Sequence, residues 1–220
     1  MHEFDERRPA VTRSTARILA FFALALLTWT GPGGGDDAIA AEAPKIVTYC
    51  FSCHGEGGRS TSPLYPRLAG QQKEYIIAQL KDFREGTRTA PHGRTYLDFL
   101  VMWGFVAQLD PSTTDAVATF FASQAPVPGE PVASPEVMAG KTIYTAGIPS
   151  ESVPACTSCH GASAQGNGPI PRLAGQHQAY LARQLEAFAS WARLNVAMHA
   201  NSVNLTPQQI SEVTAYLATQ

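Results

Sequence analysis

The sequence predicts an all-α fold of two tandem helical domains, and three observations carry that reading. The hexapeptide Cys50-Phe51-Ser52-Cys53-His54-Gly55 returns 106 residues later as Cys156-Thr157-Ser158-Cys159-His160-Gly161. A second segment, Pro66-Arg67-Leu68-Ala69-Gly70-Gln71, returns intact as Pro171-Arg172-Leu173-Ala174-Gly175-Gln176, each copy leading into apolar residues at helical spacing. No run of useful length alternates apolar and polar residues as a half-buried strand would.

In the first half only residues 44–49 are left for a helix ahead of Cys50, so the leading helix is short. After the second repeated segment, Tyr75, Ile76, Gln79, Leu80 and Phe83 answer to Tyr180, Leu181, Gln184, Leu185 and Phe188 at an offset of 105. Ile76, Leu80 and Phe83 stand at i, i+4 and i+7, as do their counterparts, which marks the buried face of an amphipathic helix. The offset then drops to 96, because the first half carries extra residues between Arg88 and Met102, a stretch a loop can absorb. Asp110-Pro111 and Thr206-Pro207 read as N-caps with proline at the first helical position, and Thr206 with Gln209 forms a capping box. Closing helices are therefore expected over residues 111–123 and 207–219, with Val117 and Phe120, and Val213 and Tyr216, facing inward. Between the halves the proline-rich stretch cannot propagate a helix. Ser134-Pro135-Glu136 opens the next helix, running toward Tyr144. The expected division is domain one at 41–124, linker at 125–135 and domain two at 136–220.

All four cysteines belong to the two Cys-x-x-Cys-His copies. Thiols one helical turn apart can each form a thioether to a porphyrin vinyl group, and the next histidine can turn its imidazole onto the iron. Each copy therefore predicts one covalently attached haem c: Cys50, Cys53 and His54 for the first, Cys156, Cys159 and His160 for the second. A shared zinc site is the weaker reading, since structural zinc sites space their ligand pairs more closely and need no histidine after each pair. A thioredoxin-like disulfide would need a βαβ context that the pattern lacks.

The sixth iron position decides between carrier and catalyst. Met102 and Met198 stand at equivalent places, each seven residues before Leu109 and Leu205, and are the expected axial ligands. A methionine elsewhere is usually core filler, and repetition argues against that here. His92, His177 and His199 are competing donors, with His92 lying in the added segment of the first half.

Arg7, Arg8, Arg13 and Arg17 precede an apolar run over residues 18–29, followed by Ala38-Ile39-Ala40. This reads as a secretory signal peptide over residues 1–40, cleaved before Ala41, and sends the protein to the periplasm. The run is shorter than the roughly 20 residues a membrane span takes. Without that segment the chain carries 12 basic and 13 acidic residues, and so lacks the basic excess of a nucleic-acid-binding surface.

Two C-x-x-C-H-G motifs, two P-R-L-A-G-Q segments, a Y-x-x-x-Q-L-x-x-F helix in each half and the late methionines together resemble the dihaem cytochrome c4 family, from about Tyr49 to Tyr216. The resemblance implies two small cytochrome c folds, each with His/Met haem ligation, the haems facing each other across the domain interface. It also implies that the carbonyls of Pro66 and Pro171 accept hydrogen bonds from Nδ1 of His54 and His160. The stretch Tyr96 to Phe105 departs from the family in being bulkier and more apolar, suited to core or haem packing or to docking a partner. Arg67 and Arg172, following the two prolines, are candidates either for haem propionates or for plain surface positions.

The expected function is single-electron transfer in a respiratory chain. Partners would be redox proteins: a quinol-oxidising complex or dehydrogenase as donor and a terminal oxidase as acceptor, with peripheral contact to the membrane. The alternatives are a dihaem subunit of a dehydrogenase complex and a haem enzyme with one open iron.

Overall fold

A computed structural model describes residues 44–88 and 94–220, the side chains of 94–99 excepted. The expected signal segment and His92 lie outside the described residues, all of which belong to one compact unit. The described elements are helical, with two isolated β-bridges, Ile148 to Val153 and Asn167 to Ile170. No described helix is long and apolar enough to cross a membrane.

The first half contains α1 (Val47–His54), α2 (Lys73–Glu85), α3 (Arg94–Val106) and α4 (Pro111–Ser123). The second contains α5 (Pro135–Ala146), α6 (Thr157–His160), α7 (Gln178–Ala189), α8 (Val196–Ser202) and α9 (Pro207–Ala218). Local chemistry sets the starts. Asp110 Oδ1 accepts from the Thr113 N–H at 2.9 Å, and Ser134 Oγ from the Val137 N–H at 3.2 Å. At α9 the capping box closes both ways, Gln209 N–H to Thr206 Oγ1 at 3.3 Å and Thr206 N–H to Gln209 Oε1 at 2.7 Å. Gly86 ends α2 in the left-handed conformation at φ +73°, donating to the Asp82 carbonyl.

Each half has its own core. Val47, Ile76, Val117, Ala118 and Phe121 form the first; Ile143, Tyr144, Leu181, Val213, Tyr216 and Leu217 lie in the second. The inward face of α4 differs by one residue from expectation. Phe121 is 1% exposed, whereas Phe120 is only partly buried, its ring 5.9 Å from that of Phe51. At α9 both Tyr216 and Leu217 are buried, because the full-length α5 packs along that helix and sets Tyr144 5.5 Å from Tyr216. In the first half the corresponding cover is the short α1.

The added segment also differs from the expected loop. From Arg94 on it is helical, so Met102 sits inside the thirteen-residue α3, packed on α2, while Met198 sits in the seven-residue α8, packed on α7. Within this apolar stretch Val106 is buried at 2% exposure, whereas Leu100, Val101, Trp103 and Phe105 are 42–50% exposed.

The linker is packed against the repeated segments. A Cβ on Gly175 (φ +70°) would meet the Val127 carbonyl oxygen at 2.1 Å, and one on Gly70 (φ +66°) would meet Pro126 at 2.7 Å. Gly129 N–H donates to the Gln220 carbonyl at 2.8 Å. Gly175→Ala should therefore cost about 1–3 kcal/mol of holoprotein stability, from strain and displacement of the linker. Gly104→Ala, on α3 with open space around it, should be neutral or stabilising by up to about 1 kcal/mol. Denaturant unfolding of both variants checks the contrast.

Candidate haem sites and the interface between them

The turn that ends α1 brings a carbonyl onto the histidine. Gly55 at φ +77° stops the helix, and the Gly58 carbonyl accepts from Leu68 N–H at 2.8 Å and Ala69 N–H at 3.2 Å, pinning the Pro66 segment beside α1. His54 Nδ1 then lies 2.9 Å from the Pro66 carbonyl oxygen. The second half repeats the device: the Ala164 carbonyl accepts from Leu173 at 2.8 Å and Ala174 at 3.0 Å, and His160 Nδ1 lies 3.1 Å from the Pro171 oxygen. A carbonyl can only accept, so Nδ1 carries the proton and Nε2 keeps its lone pair.

Both imidazoles are 7% exposed, and burial, only partly opposed by the carbonyl bonds, pushes their pKa values below the usual histidine range. Neutral Nε2 is the form that ligates iron. Burial raises the Cys50 thiol and pushes Cys156 up to about 11. All four cysteines are free thiols, and among the described residues no three His, Cys, Asp or Glu side chains gather as a metal cluster. The two pairs therefore stand apart, each with its own histidine. This donor set, a thiol pair and a tautomer-locked imidazole, fits covalent haem with histidine as proximal ligand.

Two of the competing histidines each place one ring nitrogen on a backbone carbonyl. His177 Nε2 lies 3.0 Å from the Ser60 carbonyl oxygen of the other half. His199 Nδ1 lies 2.9 Å from the Phe188 oxygen, and its ring stacks on Trp191 at 3.7 Å. Met102 and Met198 are half-buried; the cap Asn195 orients α8 by accepting from the Met198 N–H at 2.9 Å.

The halves meet through bonds that each returns to the other. Gln71 gives its amide N–H to the Arg172 carbonyl at 2.9 Å and accepts from the Arg172 N–H at 2.7 Å. Gln176 does the same to Arg67, at 2.9 and 2.9 Å. Gln72 Nε2 donates to the Gln165 carbonyl at 2.8 Å, the counterpart of the His177 contact with Ser60. Arg88 reaches Tyr180 Oη (3.1 Å) and Gln184 Oε1 (3.0 Å), and Arg193 reaches Tyr75 Oη (2.8 Å) and Gln79 Oε1 (2.5 Å). Arg67 departs from this symmetry. Its guanidinium donates to the carbonyls of Ser60 and Gly175, while Arg172 has no partner for its buried Nε. Both arginines are half-buried, which removes the expectation of plain surface positions.

Two helical halves, each presenting a thiol pair and a carbonyl-locked histidine, define a protein of tandem haem-attachment domains. Residues 40–125 and 137–220 each match the cytochrome c family. The chain is 37% identical to cytochrome c-552 of Acidithiobacillus ferridurans over 202 residues, spanning 91% of this chain and 86% of that one. The solved cytochrome c4 structure of Acidithiobacillus ferrooxidans is 36% identical, with a TM-score of 0.72 over 79% of this chain and 99% of its own. A thiosulfate dehydrogenase electron acceptor of Thiomonas intermedia strain K12 is 32% identical over 212 residues, 93% of this chain and 91% of its own. The chain belongs to the cytochrome c family and, within it, to the dihaem cytochromes c4. It is an electron-transfer protein with two covalently attached haem c groups.

Replacing Gln71 and Gln176 together by alanine removes four bonds between the halves, worth about 1 kcal/mol each. The holoprotein's unfolding in urea should then resolve into two transitions, one per half, where the unaltered protein shows one.

Proposed function

We propose that the protein works in the periplasm as a shuttle, carrying single electrons from a respiratory donor to an acceptor such as a terminal oxidase. The observation that supports this best is the duplicated site. The same thiol pair, histidine and carbonyl occur in both halves of one compact unit, joined by reciprocal bonds that hold them in register. When bound, haem iron supplies a one-electron couple at each site. The chain's task is to keep each ligand still, so that little reorganises when charge changes.

His54 and His160 would hold the haem irons in this reading, with their basicity raised by the Pro66 and Pro171 carbonyls. Met102 and Met198 would supply the second protein ligand to each iron. Their support is the shared spacing to Leu109 and Leu205, on helices packed against α2 and α7. Residues 1–40 act as the export signal.

A dehydrogenase as direct donor is the second reading, favoured by the relative named as a thiosulfate dehydrogenase electron acceptor. Such a donor would deliver electrons in pairs or singly to this two-site chain, and the same fold serves both readings. Mixing the reduced protein with a purified oxidase, and the oxidised protein with a sulfur-compound dehydrogenase, separates them by rate.

Ligation is testable in the same protein. Met198→Ala should abolish the methionine-to-iron charge-transfer band of one haem and open that iron to carbon monoxide; Met102→Ala should do so at the other. Tight carbon monoxide binding by the unaltered reduced protein would overturn the carrier reading in favour of an open catalytic site.

A further inference from the structure

A residue in the left-handed conformation follows α2 and α7 at the same place in the repeat. In the first half it is Gly86, at φ +73°, where the missing Cβ makes that conformation free of strain. In the second half, 105 residues on, it is Trp191, at φ +59°. A bulky side chain rarely adopts this backbone, and such strain persists only where surrounding contacts hold it.

The contact at Trp191 is another ring. Its indole stacks on the imidazole of His199, with centroids 3.7 Å apart and an interplanar angle of 21°. The same imidazole places Nδ1 2.9 Å from the Phe188 carbonyl oxygen, which also accepts from the Trp191 N–H at 3.2 Å. A carbonyl can only accept, so Nδ1 is the donor. One oxygen near the end of α7 thus anchors both partners of the stack. Phe188 is itself 8% exposed, with the Arg193 guanidinium 4.5 Å over its ring, so the anchor belongs to the packed body of that half.

His199 directly follows Met198 on α8, a helix of seven residues. A helix so short does not hold its shape alone. Asn195 accepts from the Met198 N–H at 2.9 Å, and the fully buried Ser202 hydroxyl donates to the Met198 carbonyl; both bonds fix backbone. Adjacent side chains on a helix diverge by about 100°. With the imidazole held by Trp191 and the Phe188 carbonyl, α8 cannot turn about its axis, and the direction of Met198 is set with it. At the offset of 96 the first half has Trp103 in the place of His199, and Gly86 offers it no ring. We propose that Trp191 and His199 are positioning residues for the second site, their stacked rings fixing the bearing of α8 so that Met198 resists displacement from iron. This rests on the reading of Met198 as that iron's second protein ligand.

The test is displacement of methionine by added imidazole in the ferric holoprotein, followed by loss of the methionine-to-iron charge-transfer band. Trp191→Gly gives the second half the turn that the first half already makes, so the ring is lost while the backbone is eased. Displacement at one haem should become roughly two- to tenfold faster, the range to which the stabilisation of an aromatic pair converts. Trp191→Phe should stay near the unaltered rate. His199→Ala, which also loses the bond to Phe188, should be at least as fast as Trp191→Gly, and combining the two should add nothing, because the rings form one contact. Adding Trp191→Gly to Met198→Ala should leave the rate of the remaining haem unchanged. Urea midpoints taken alongside should not fall in Trp191→Gly, since glycine relieves strain there. An unaltered rate in Trp191→Gly overturns the proposal. So does a Trp191→Phe rate as high as that of Trp191→Gly, or a rate that rises only as the midpoint falls, which marks general loosening. The ligand reading fails by a different result: if Met198→Ala leaves both haems' bands intact, Met198 is not the ligand and the rings have nothing to hold. A band lost in Met198→Ala with an unaltered rate in Trp191→Gly removes the role of the rings alone.

Discussion

Two glutamine side chains hold this molecule in its working shape. Gln71 and Gln176 each lay a carboxamide along the backbone of the opposite half, giving an N–H to a carbonyl and taking one in return. Both are buried, so the bonds form away from competing water and an unpaired amide there would be heavily penalised. The residues they read, Arg67 and Arg172, follow directly on the prolines whose carbonyls lock His54 and His160. Interface and ligand orientation are thereby joined through one residue of chain. A displacement of one half would be transmitted to the imidazole of the other.

The linker reinforces this geometry. Gly70 and Gly175 belong to the same repeated hexapeptide as the glutamines, and their missing side chains are what allow Pro126 and Val127 to pass close by. The hexapeptide therefore does three things in six residues: it orients a histidine, admits the linker and clasps its twin. Its exact recurrence in the sequence follows from that density of constraint.

Much of this was legible in advance where the signal is local. The capping box at Thr206 and Gln209, the Asp110 and Ser134 caps and the apolar faces of α2 and α7 are written within single turns, and each stands where it was expected. What was not legible depends on partners far along the chain. Spacing from Val117 permits Phe120 or Phe121 to face inward, and only the tertiary packing of the first core decides for Phe121. The glutamines were visible as repeats, but their partners lie 101 and 109 residues away. Arg88 and Arg193 stand at the same offset of 105 as Tyr75 and Tyr180, so extending the repeat five residues past Phe83 would have found them. Arg67 and Arg172 drew notice instead because they sat beside a motif, and the structure turns Arg67 toward backbone.

Because each half gives the other the bonds it receives, the interface is of the isologous kind that two copies of a single subunit make about a twofold axis. Covalent connection turns such a pairing into a fused dimer. The partner is then always present at the effective concentration set by a short tether, whatever the dilution of the protein itself. The chain also escapes the obligation of true symmetry: His177 can replace Gln72, and Arg67 can reach where Arg172 does not. Fusion thus gives two equivalent redox centres the freedom to become unequal while remaining inseparable.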